Sequence, residues 1–295
     1  MMQLNQGGPV KEGLFQAGPF TLQFRDTEGS GPVCLVVGSA LYYSRSFHPQ
    51  MNQNFRMIYM DHRGFSNPSG SVTEADYSLA TLMSDIERFR AEMKLGPIAI
   101  LGHSAHGYMA LEYAKRYPGS VSHVCLVATG PSHGSHMQEA ERNWTESVCT
   151  ARKDQFEMDC QNMERQIANS PEDRFVLFCK GMRTRAWNDW NFDIDELWKG
   201  VQTYMPAIDH LFGEVFRDIK IEEGLPDLKV PVLLMLGRLD YQVAPSWTWN
   251  QYRPLFQKLT VRIFEKSAHN PQTEQALEFY HEFKNWIDQT AKENS

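Results

Sequence analysis

The sequence has few of the features that mark secreted, membrane-spanning or metal-binding proteins. Its five cysteines are odd in number and include no C-x-x-C pair, which argues against a disulfide framework and a thiolate metal site. No run approaches the ~18 apolar residues that a membrane span needs. Residues 1–8 lack the cationic and apolar regions of a signal peptide. We therefore expect a soluble chain in a reducing, cytoplasmic compartment.

Positive charge is also scarce. The chain has 29 Lys and Arg against 36 Asp and Glu, which gives a formal net charge of −7. Binders of nucleic acid or of anionic membranes carry basic patches, so neither partner is expected. A hydrophobic content of 42% with 22% charged residues is typical of a globular protein and excludes wholesale disorder. A length of 295 residues allows one large α/β domain with an insertion, or two ordinary domains.

Short apolar runs that end in turn residues alternate with helical patterns. Buried strands are predicted at 33–37, 55–60, 98–101 and 232–236, with weaker candidates at 121–127 and 259–264. Apolar residues at helical spacing predict helices at 79–93, at 107–117 and from about 271 to 287. This alternation predicts an α/β fold whose mostly parallel sheet is covered by helices on both faces.

The stretch 132–225 interrupts this alternation. It has no clear strand and many charges, and it contains a cluster of large aromatic residues: Trp144, Trp187, Trp190, Phe192, Trp198, Tyr204 and Phe212. Linkers and disordered segments lack so much apolar bulk. We therefore predict a core formed by 1–131 and 226–295, interrupted by a helical cap at 132–225.

Ser104 lies where a predicted strand leads directly into a predicted helix. Residues 102–107 read Gly-His-Ser-Ala-His-Gly. A serine in such a turn is typical of a nucleophile elbow, in which the residues two before and two after the serine are small. Gly102 meets this requirement, whereas His106 does not, and the second glycine comes one place late at Gly107. His106 either packs against the neighbouring strand or makes a polar contact within the elbow.

Two further residues turn this weak signal into a strong one. A serine hydroxyl needs a base to accept its proton and an acid to orient that base. Asp240 follows the strand 232–236, and His269 follows the run 259–264. Because the carboxyl ends of parallel strands lie at one edge of a sheet, both side chains are expected beside Ser104. The sequence therefore predicts a Ser104–His269–Asp240 catalytic triad.

With these residues in this order, the chain resembles the α/β-hydrolase fold serine hydrolases, in particular the cap-bearing branch of proline iminopeptidases and related esterases. The turn 61–66 is similar to the D-x-R-G-x-G/S turn of that branch, which implies a structural role for Asp61 and Arg63. The resemblance implies hydrolysis of a small-molecule ester, amide or lactone through an acyl-enzyme. It implies no cofactor and no metal.

The same resemblance implies an oxyanion hole and a set of substrate contacts. Two backbone N–H groups are needed for the hole, and the fold places one at Ala105. The other falls in the loop after the strand 33–37, at Ser39, or at Ala40 if the loop adopts a different register. This loop is bulkier than the glycine- and proline-rich loop of the iminopeptidases. The candidate substrate contacts are Tyr42, His103, Trp187 and Trp190.

Several alternatives stay open from the sequence. The pairs His103/His106 and His133/His136 have a spacing that metal ligands use, but no carboxylate or cysteine at matching spacing accompanies them. An aminopeptidase would need cap carboxylates for the substrate's ammonium group, whereas a solvated helical surface would show the same residues: Asp189, Asp193, Asp195, Glu196 and Glu214. The chain is then an esterase or lactonase, a proline-iminopeptidase-like aminopeptidase, or a non-hydrolytic, ligand-sensing relative.

Overall fold

One eight-stranded sheet organises the part of the chain that the computed structural model describes, residues 10–132 and 134–293. The strands are β1 (Lys11–Ala17), β2 (Phe20–Asp26), β3 (Val33–Gly38), β4 (Arg56–Asp61), β5 (Ile98–His103), β6 (Val121–Val127), β7 (Val232–Gly237) and β8 (Leu259–Phe264). Their spatial order is β1-β2-β4-β3-β5-β6-β7-β8. The strands β3 to β8 pair in parallel, which confirms the predicted mostly parallel sheet.

The first two strands form an antiparallel ribbon that the sequence reasoning did not predict. β1 pairs with β2, and β2 pairs with β4, antiparallel in both cases. Along β2, Phe20, Leu22 and Phe24 are buried, while Thr21 and Gln23 between them are exposed. This alternation of two is that of a strand with one wet face, and it differs from the continuous apolar runs of the parallel strands.

Helices cover both faces of the sheet, as predicted. The helices of the described chain are α1 (Ala40–Ser46), α2 (Pro49–Asn54), α3 (Leu79–Glu92), α4 (His106–Arg116), α5 (Met137–Ser147), α6 (Thr150–Asn169), α7 (Arg174–Gly181), α8 (Arg183–Ala186), α9 (Asp195–Trp198), α10 (Met205–His210), α11 (Pro271–Glu274) and α12 (Ala276–Glu293). α3 and α4 pack in the core on one face, and α1, α2 and α12 pack in the core on the other. None of these helices is long and apolar enough to cross a membrane.

Among the described residues, the regular elements of the connection between β6 and β7 are all helices. It contains α5 to α10 together with short single-turn helices, and among its described residues there is no strand. We call the part of this connection from 134 to 227 the helical segment. The boundaries 132 and 225 of a separate cap domain stay a prediction. His133 and residues 1–9, which include the region inspected for a signal peptide, lie outside the described residues.

Candidate active site

Ser104 occupies the sharp turn between β5 and α4. Its φ of +57° lies in the left-handed region, which is costly for a residue with a side chain. The backbone is held there from β6 and the loop after it. Ser104 N–H donates to the carbonyl of Val127 at 2.8 Å, and the Thr129 hydroxyl donates to the carbonyl of Ser104 at 2.9 Å. This is the strained strand-to-helix turn that a nucleophile elbow requires.

The two residues that flank this turn behave differently. A Cβ on Gly102 would lie 2.2 Å from the carbonyl oxygen of His106, so only glycine fits at this position. The side chain of His106 is buried, 5% exposed, and its Nδ1 lies 3.1 Å from the hydroxyl of Tyr43. Of the two interpretations left open for His106, the structure therefore favours the polar contact.

The predicted acid and histidine are joined directly. His269 Nδ1 donates to Asp240 Oδ2 at 2.8 Å, and both side chains are buried. The other carboxylate oxygen accepts from the N–H groups of Gln242 at 2.8 Å and Val243 at 3.3 Å, which fixes the carboxylate against the loop after β7. With its proton held at Nδ1, the neutral imidazole keeps a lone pair at Nε2.

Ser104 and His269 line the same cavity, but within the described chain no hydrogen bond joins the serine hydroxyl to the imidazole. In enzymes without substrate such a contact is often long and shortens on binding. The structure thus brings the three predicted residues to one edge of the sheet and shows one of the two hydrogen bonds that a triad requires.

The backbone of His269 is anchored on both sides. Its N–H donates to the carbonyl of Ala186 at 2.9 Å, and its carbonyl accepts from Nε2 of His103 at 2.7 Å. These bonds connect the histidine loop to the helical segment and to the elbow.

Glu274, which the sequence reasoning did not single out, holds the neighbouring backbone. Its carboxyl group accepts from the N–H groups of Asn188 at 2.6 Å, Ala268 at 2.8 Å and Asn270 at 3.3 Å. Burial raises the pKa of Glu274 to about 7, although these bonds act in the opposite direction. An acidic residue in the first turn of a short helix, five positions after the candidate base, was the available signal.

The hydrogen bonds of three backbone amides, those of Ser39, Ala40 and Ala105, show which of them are free to bind an oxyanion. Ala40 N–H donates to Asp61 Oδ1 at 2.7 Å, so this amide is already occupied. Ser39 and Ala105 line the cavity together with Ser104, and among the described residues neither N–H has a hydrogen-bond partner. In the loop after β3, the amide without a partner among the described residues is therefore that of Ser39, whereas that of Ala40 is engaged.

Asp61 and Arg63 have the structural role that the resemblance implied. Asp61 also accepts from Gln23 N–H at 3.3 Å, and burial raises its pKa to about 7. Arg63 makes a two-point ion pair with the buried Asp85, at 2.6 Å and 2.9 Å. Both residues fix the loop after β4 beside the site, and neither lines the cavity.

The cavity has a volume of about 710 Å³ and largely apolar walls. Aromatic, methionine and isoleucine side chains form most of its surface: Phe65, Phe175, Phe178, Met182, Trp187, Trp198, Met205, Ile208 and Phe212. Among the described residues, the lining includes a single carboxylate, Asp209, and it is ion-paired with Arg174. The walls therefore fit an apolar, uncharged ligand group.

Three of the four candidate substrate contacts line this cavity. Tyr42 does so with its hydroxyl donating to Asn270 Oδ1 at 3.1 Å, and Trp187 does so with its ring against Phe192. His103 also lines it, but both ring nitrogens of His103 are engaged within the protein. Trp190 is not among the lining residues.

The geometry thus gives no support to a substrate contact by Trp190. The guanidinium of Arg152 lies 4.8 Å from the centre of its ring.

The candidate ammonium-binding carboxylates lie outside the cavity lining. Asp195, Glu196 and Glu214 are within 3.2 Å of Lys180, Lys199 and His210, respectively. Asp189 and Asp193 accept from backbone N–H groups two residues further along. These contacts are typical of a solvated helical surface. Within the described residues, no group of three or more His, Cys, Asp and Glu side chains is arranged to hold a metal ion.

The chain belongs to the α/β-hydrolase family. A family model described as the alpha/beta hydrolase fold matches residues 34–276. The chain is 38% identical over 280 residues to the AB hydrolase superfamily protein YclE of Bacillus subtilis (strain 168), a match that covers 95% of this chain and 99% of YclE. It is therefore an enzyme of hydrolase type, as the resemblance implied.

Solved structures share this fold at low sequence identity. A proline iminopeptidase from Mycobacterium smegmatis superposes with a TM-score of 0.74 at 14% identity, over 97% of this chain and 100% of that chain. The esterase EaEST from Exiguobacterium antarcticum has a TM-score of 0.64 at 20% identity, over 93% of this chain and 98% of that chain. At these identities the likeness concerns the fold alone.

Proposed function

We propose that the protein is a serine hydrolase that cleaves neutral small-molecule esters with an apolar acyl group. One observation carries this proposal: Ser104 and the Asp240-bound His269 share a cavity whose walls are largely apolar. The family supplies hydrolase chemistry, the two side chains supply a nucleophile and a base, and the walls select what they act on.

In the proposed reaction Ser104 Oγ attacks the ester carbonyl carbon while His269 Nε2 accepts the serine proton. Asp240 keeps the other imidazole proton at Nδ1 and stabilises the imidazolium. When the tetrahedral intermediate collapses, the bond to the alcohol oxygen breaks, and His269 returns its proton to the leaving alcohol. Water then attacks the acyl-serine by the same route in reverse, with His269 again as base, and releases the acid.

The negative oxygen of the intermediate needs fixed hydrogen-bond donors. The amides of Ser39 and Ala105 are the proposed donors, because both line the cavity and neither is engaged within the described residues. Asp61 supports this assignment by accepting the hydrogen bond from Ala40, which leaves the preceding amide as the free one in that loop.

Charge in the cavity favours an ester over an aminoacyl amide. Burying an ammonium group without a partner costs several kcal/mol. The carboxylate that the described part of the chain contributes to the lining, Asp209, is already ion-paired with Arg174. A neutral acyl group has no such requirement and gains from burial against the aromatic walls.

The helical segment is the proposed cap of this site, with limits near 132 and 225. Phe175, Met182, Trp187 and Phe212 lie in the helical segment, and they line the same cavity as Ser104. Such a roof excludes water and strengthens the electrostatic interactions of the intermediate.

The proposal is tested with a fluorophosphonate probe and two matched substrates. The probe should label the wild type and fail to label Ser104→Ala. A neutral short-chain aryl ester should then have a higher kcat/KM than a prolyl arylamide whose leaving group has the same pKa. Absence of labelling in folded wild type would contradict the serine mechanism. Faster turnover of the prolyl amide, abolished by Asp209→Asn, would contradict the preference for neutral esters.

A further inference from the structure

A continuous chain of buried polar side chains lies at the candidate active site, and three of its members, Tyr43, His103 and His106, line the cavity. His62 Nε2 lies 3.0 Å from His106 Nε2, and His106 Nδ1 lies 3.1 Å from the Tyr43 hydroxyl. The same hydroxyl lies 3.2 Å from His103 Nδ1, and His103 Nε2 lies 2.7 Å from the carbonyl oxygen of His269. We call these four side chains the histidine chain.

The direction of every hydrogen bond follows from the end at His269. A carbonyl oxygen only accepts, so His103 Nε2 carries a proton, and Nδ1 of the neutral ring is an acceptor. The Tyr43 hydroxyl therefore donates to His103. Because the single hydroxyl proton of Tyr43 is used in that bond, its oxygen accepts a hydrogen bond from His106 Nδ1.

The opposite end of the histidine chain gives the same direction independently. The Gly64 N–H donates to His62 Nδ1 at 3.0 Å, so Nδ1 is an acceptor and the proton of the neutral ring is at Nε2. His62 Nε2 therefore donates to His106 Nε2. The proton of neutral His106 is then at Nδ1, which donates to Tyr43. Two backbone groups at the two ends thus require the same protonation pattern.

All four side chains are buried, with exposed fractions of 4–5%: Tyr43 4%, His62 4%, His103 5% and His106 5%. Burial lowers the pKa of His62 and of His103 to about 3, and lowers the pKa of His106 well below its usual range. A second proton on His106 would place two N–H groups face to face with His62. The histidine chain is consistent only when all three rings are neutral.

We propose that the histidine chain positions His269 for proton transfer. This inference rests on the proposed function, in which His269 is the base. The histidine chain ends at the carbonyl of His269. The imidazole of this residue is held by Asp240, and its backbone N–H is held by the carbonyl of Ala186. His103 contacts His269 through its carbonyl and through its ring, whose centre lies 4.8 Å from that of the His269 imidazole. Within the described chain, none of the four side chains makes a hydrogen bond to Ser104 Oγ or to the His269 imidazole, so they are positioning residues.

A packing role alone would not produce this arrangement. Filling the same volume with apolar side chains would avoid the cost of burying four polar groups, each expensive if left without a partner. A fully satisfied polar network, in contrast, specifies one geometry. His106 stands at the elbow position that usually carries a small residue. It connects His62, in the loop after β4, to Tyr43 on α1. The cost of burying this polar side chain is therefore met at the position that links the elbow to the base.

The first test reads the protonation pattern directly and needs no activity. In wild-type protein labelled with ¹⁵N at histidine, two-bond ¹H–¹⁵N correlations at neutral pH should show His62 and His103 protonated at Nε2. The same spectra should show His106 protonated at Nδ1. A different tautomer at any of the three rings, or a charged ring, would overturn the proposal. Failure of the serine mechanism would leave these spectra unchanged, so the two failures are distinguishable.

The second test separates hydrogen bonding from volume. His106→Gln can accept from His62 and donate to Tyr43, whereas His106→Leu fills the space and does neither. We expect the Leu variant to lose about tenfold or more in kcat with KM within about twofold, and the Gln variant to recover most of that loss. His123→Leu removes a half-buried histidine that contacts Thr290 instead, and it should leave kcat unchanged.

Tyr43→Phe keeps the proposal testable if the Leu variant does not fold. It removes one oxygen atom and interrupts the histidine chain at its centre. It should lower kcat in the same way, while His106 keeps its Nδ1–H tautomer because its Nε2 still accepts from His62. An unchanged kcat in folded His106→Leu or Tyr43→Phe would overturn the positioning role.

Discussion

Thr129 occupies the space that a side chain on residue 107 would need. A Cβ on Gly107 would lie 2.1 Å from Thr129 Oγ1 and 2.8 Å from its Cγ2. Through the same hydroxyl, Thr129 holds the carbonyl of Ser104. The close approach between the elbow helix and the loop after β6 is therefore made three residues after the serine, and this leaves position 106 able to carry an imidazole.

Gly107→Ala should destabilise the protein by about 1–3 kcal/mol, because either the elbow or Thr129 has to move. Urea unfolding measures this change. Gly119→Ala is the matched control, because a Cβ there meets nothing within 4 Å. Adding Thr129→Ala should restore part of the lost stability. Equal unfolding free energies for the two glycine variants would contradict the steric explanation.

Ser104→Ala, His269→Ala and Asp240→Asn should each lower kcat by roughly 10³–10⁶-fold, and combining them should cost little more. The reason is that the three groups work as a unit in proton transfer. Steady-state kinetics with a neutral aryl ester measures the losses, and Asp288→Asn on α12 serves as the control. If Asp240→Asn stays within about tenfold of wild type, the acid lies elsewhere in the chain.

Glu274→Ala should lower both stability and kcat, because it leaves three backbone N–H groups around His269 without their acceptor. Each unsatisfied buried group costs about 1–3 kcal/mol. Glu274→Gln keeps one acceptor oxygen and should fall between wild type and the Ala variant. Urea unfolding and ester kinetics test the order. An Ala variant as active as the Gln variant would show that the carboxyl group does not hold the loop.

Acid should destabilise the protein through its buried histidines. Their folded-state pKa lies below the unfolded value of about 6.5, so only the unfolded chain takes up these protons as pH falls. Each such histidine lowers the free energy of unfolding by about 1.4 kcal/mol per pH unit below pH 6.5. Asp61 and Glu274 act in the opposite direction, since burial raises their pKa.

The contributions of Asp61, Glu274 and the other histidines are the same in wild type and in His106→Gln. The difference in unfolding free energy between the two proteins therefore isolates His106. Between about pH 6.5 and pH 4.5, the variant should lose about 1.4 kcal/mol less per pH unit than the wild type. Urea unfolding at several pH values measures the two slopes. Parallel curves would mean that His106 takes up a proton equally in both states.

The parallel part of the sheet and the meeting of the three candidate residues could be predicted from the sequence. Strands such as β5 and β7 are buried on both faces, so they are continuous apolar runs that end abruptly in Ser104 or near Asp240. In a parallel sheet, the position of each residue at the end of its strand is nearly enough to predict that the three residues meet. Local sequence carries that information.

The rest depends on partners that are distant in the sequence. β1 contains Lys11, Glu12 and Gln16, and its place in the sheet is defined by antiparallel pairing with β2. The elbow histidine likewise has an environment made by Tyr43 and His62, which arrive from a helix and a loop far from it in the sequence. A spacing rule could show that His106 was unusual, but not what it contacts.

The histidine chain also has a consequence for how the site responds to charge. A network of hydroxyl groups and imidazole rings can usually reverse the direction of all its hydrogen bonds together. Its dipoles then reorient when a nearby charge changes. Here both ends are main-chain groups, the amide of Gly64 and the carbonyl of His269, whose roles cannot be exchanged. The histidine chain therefore has a single arrangement of its protons and no residual orientational entropy. When His269 becomes positively charged, the dipoles beside it stay as they were, and no reorientation has to be completed before the proton moves on.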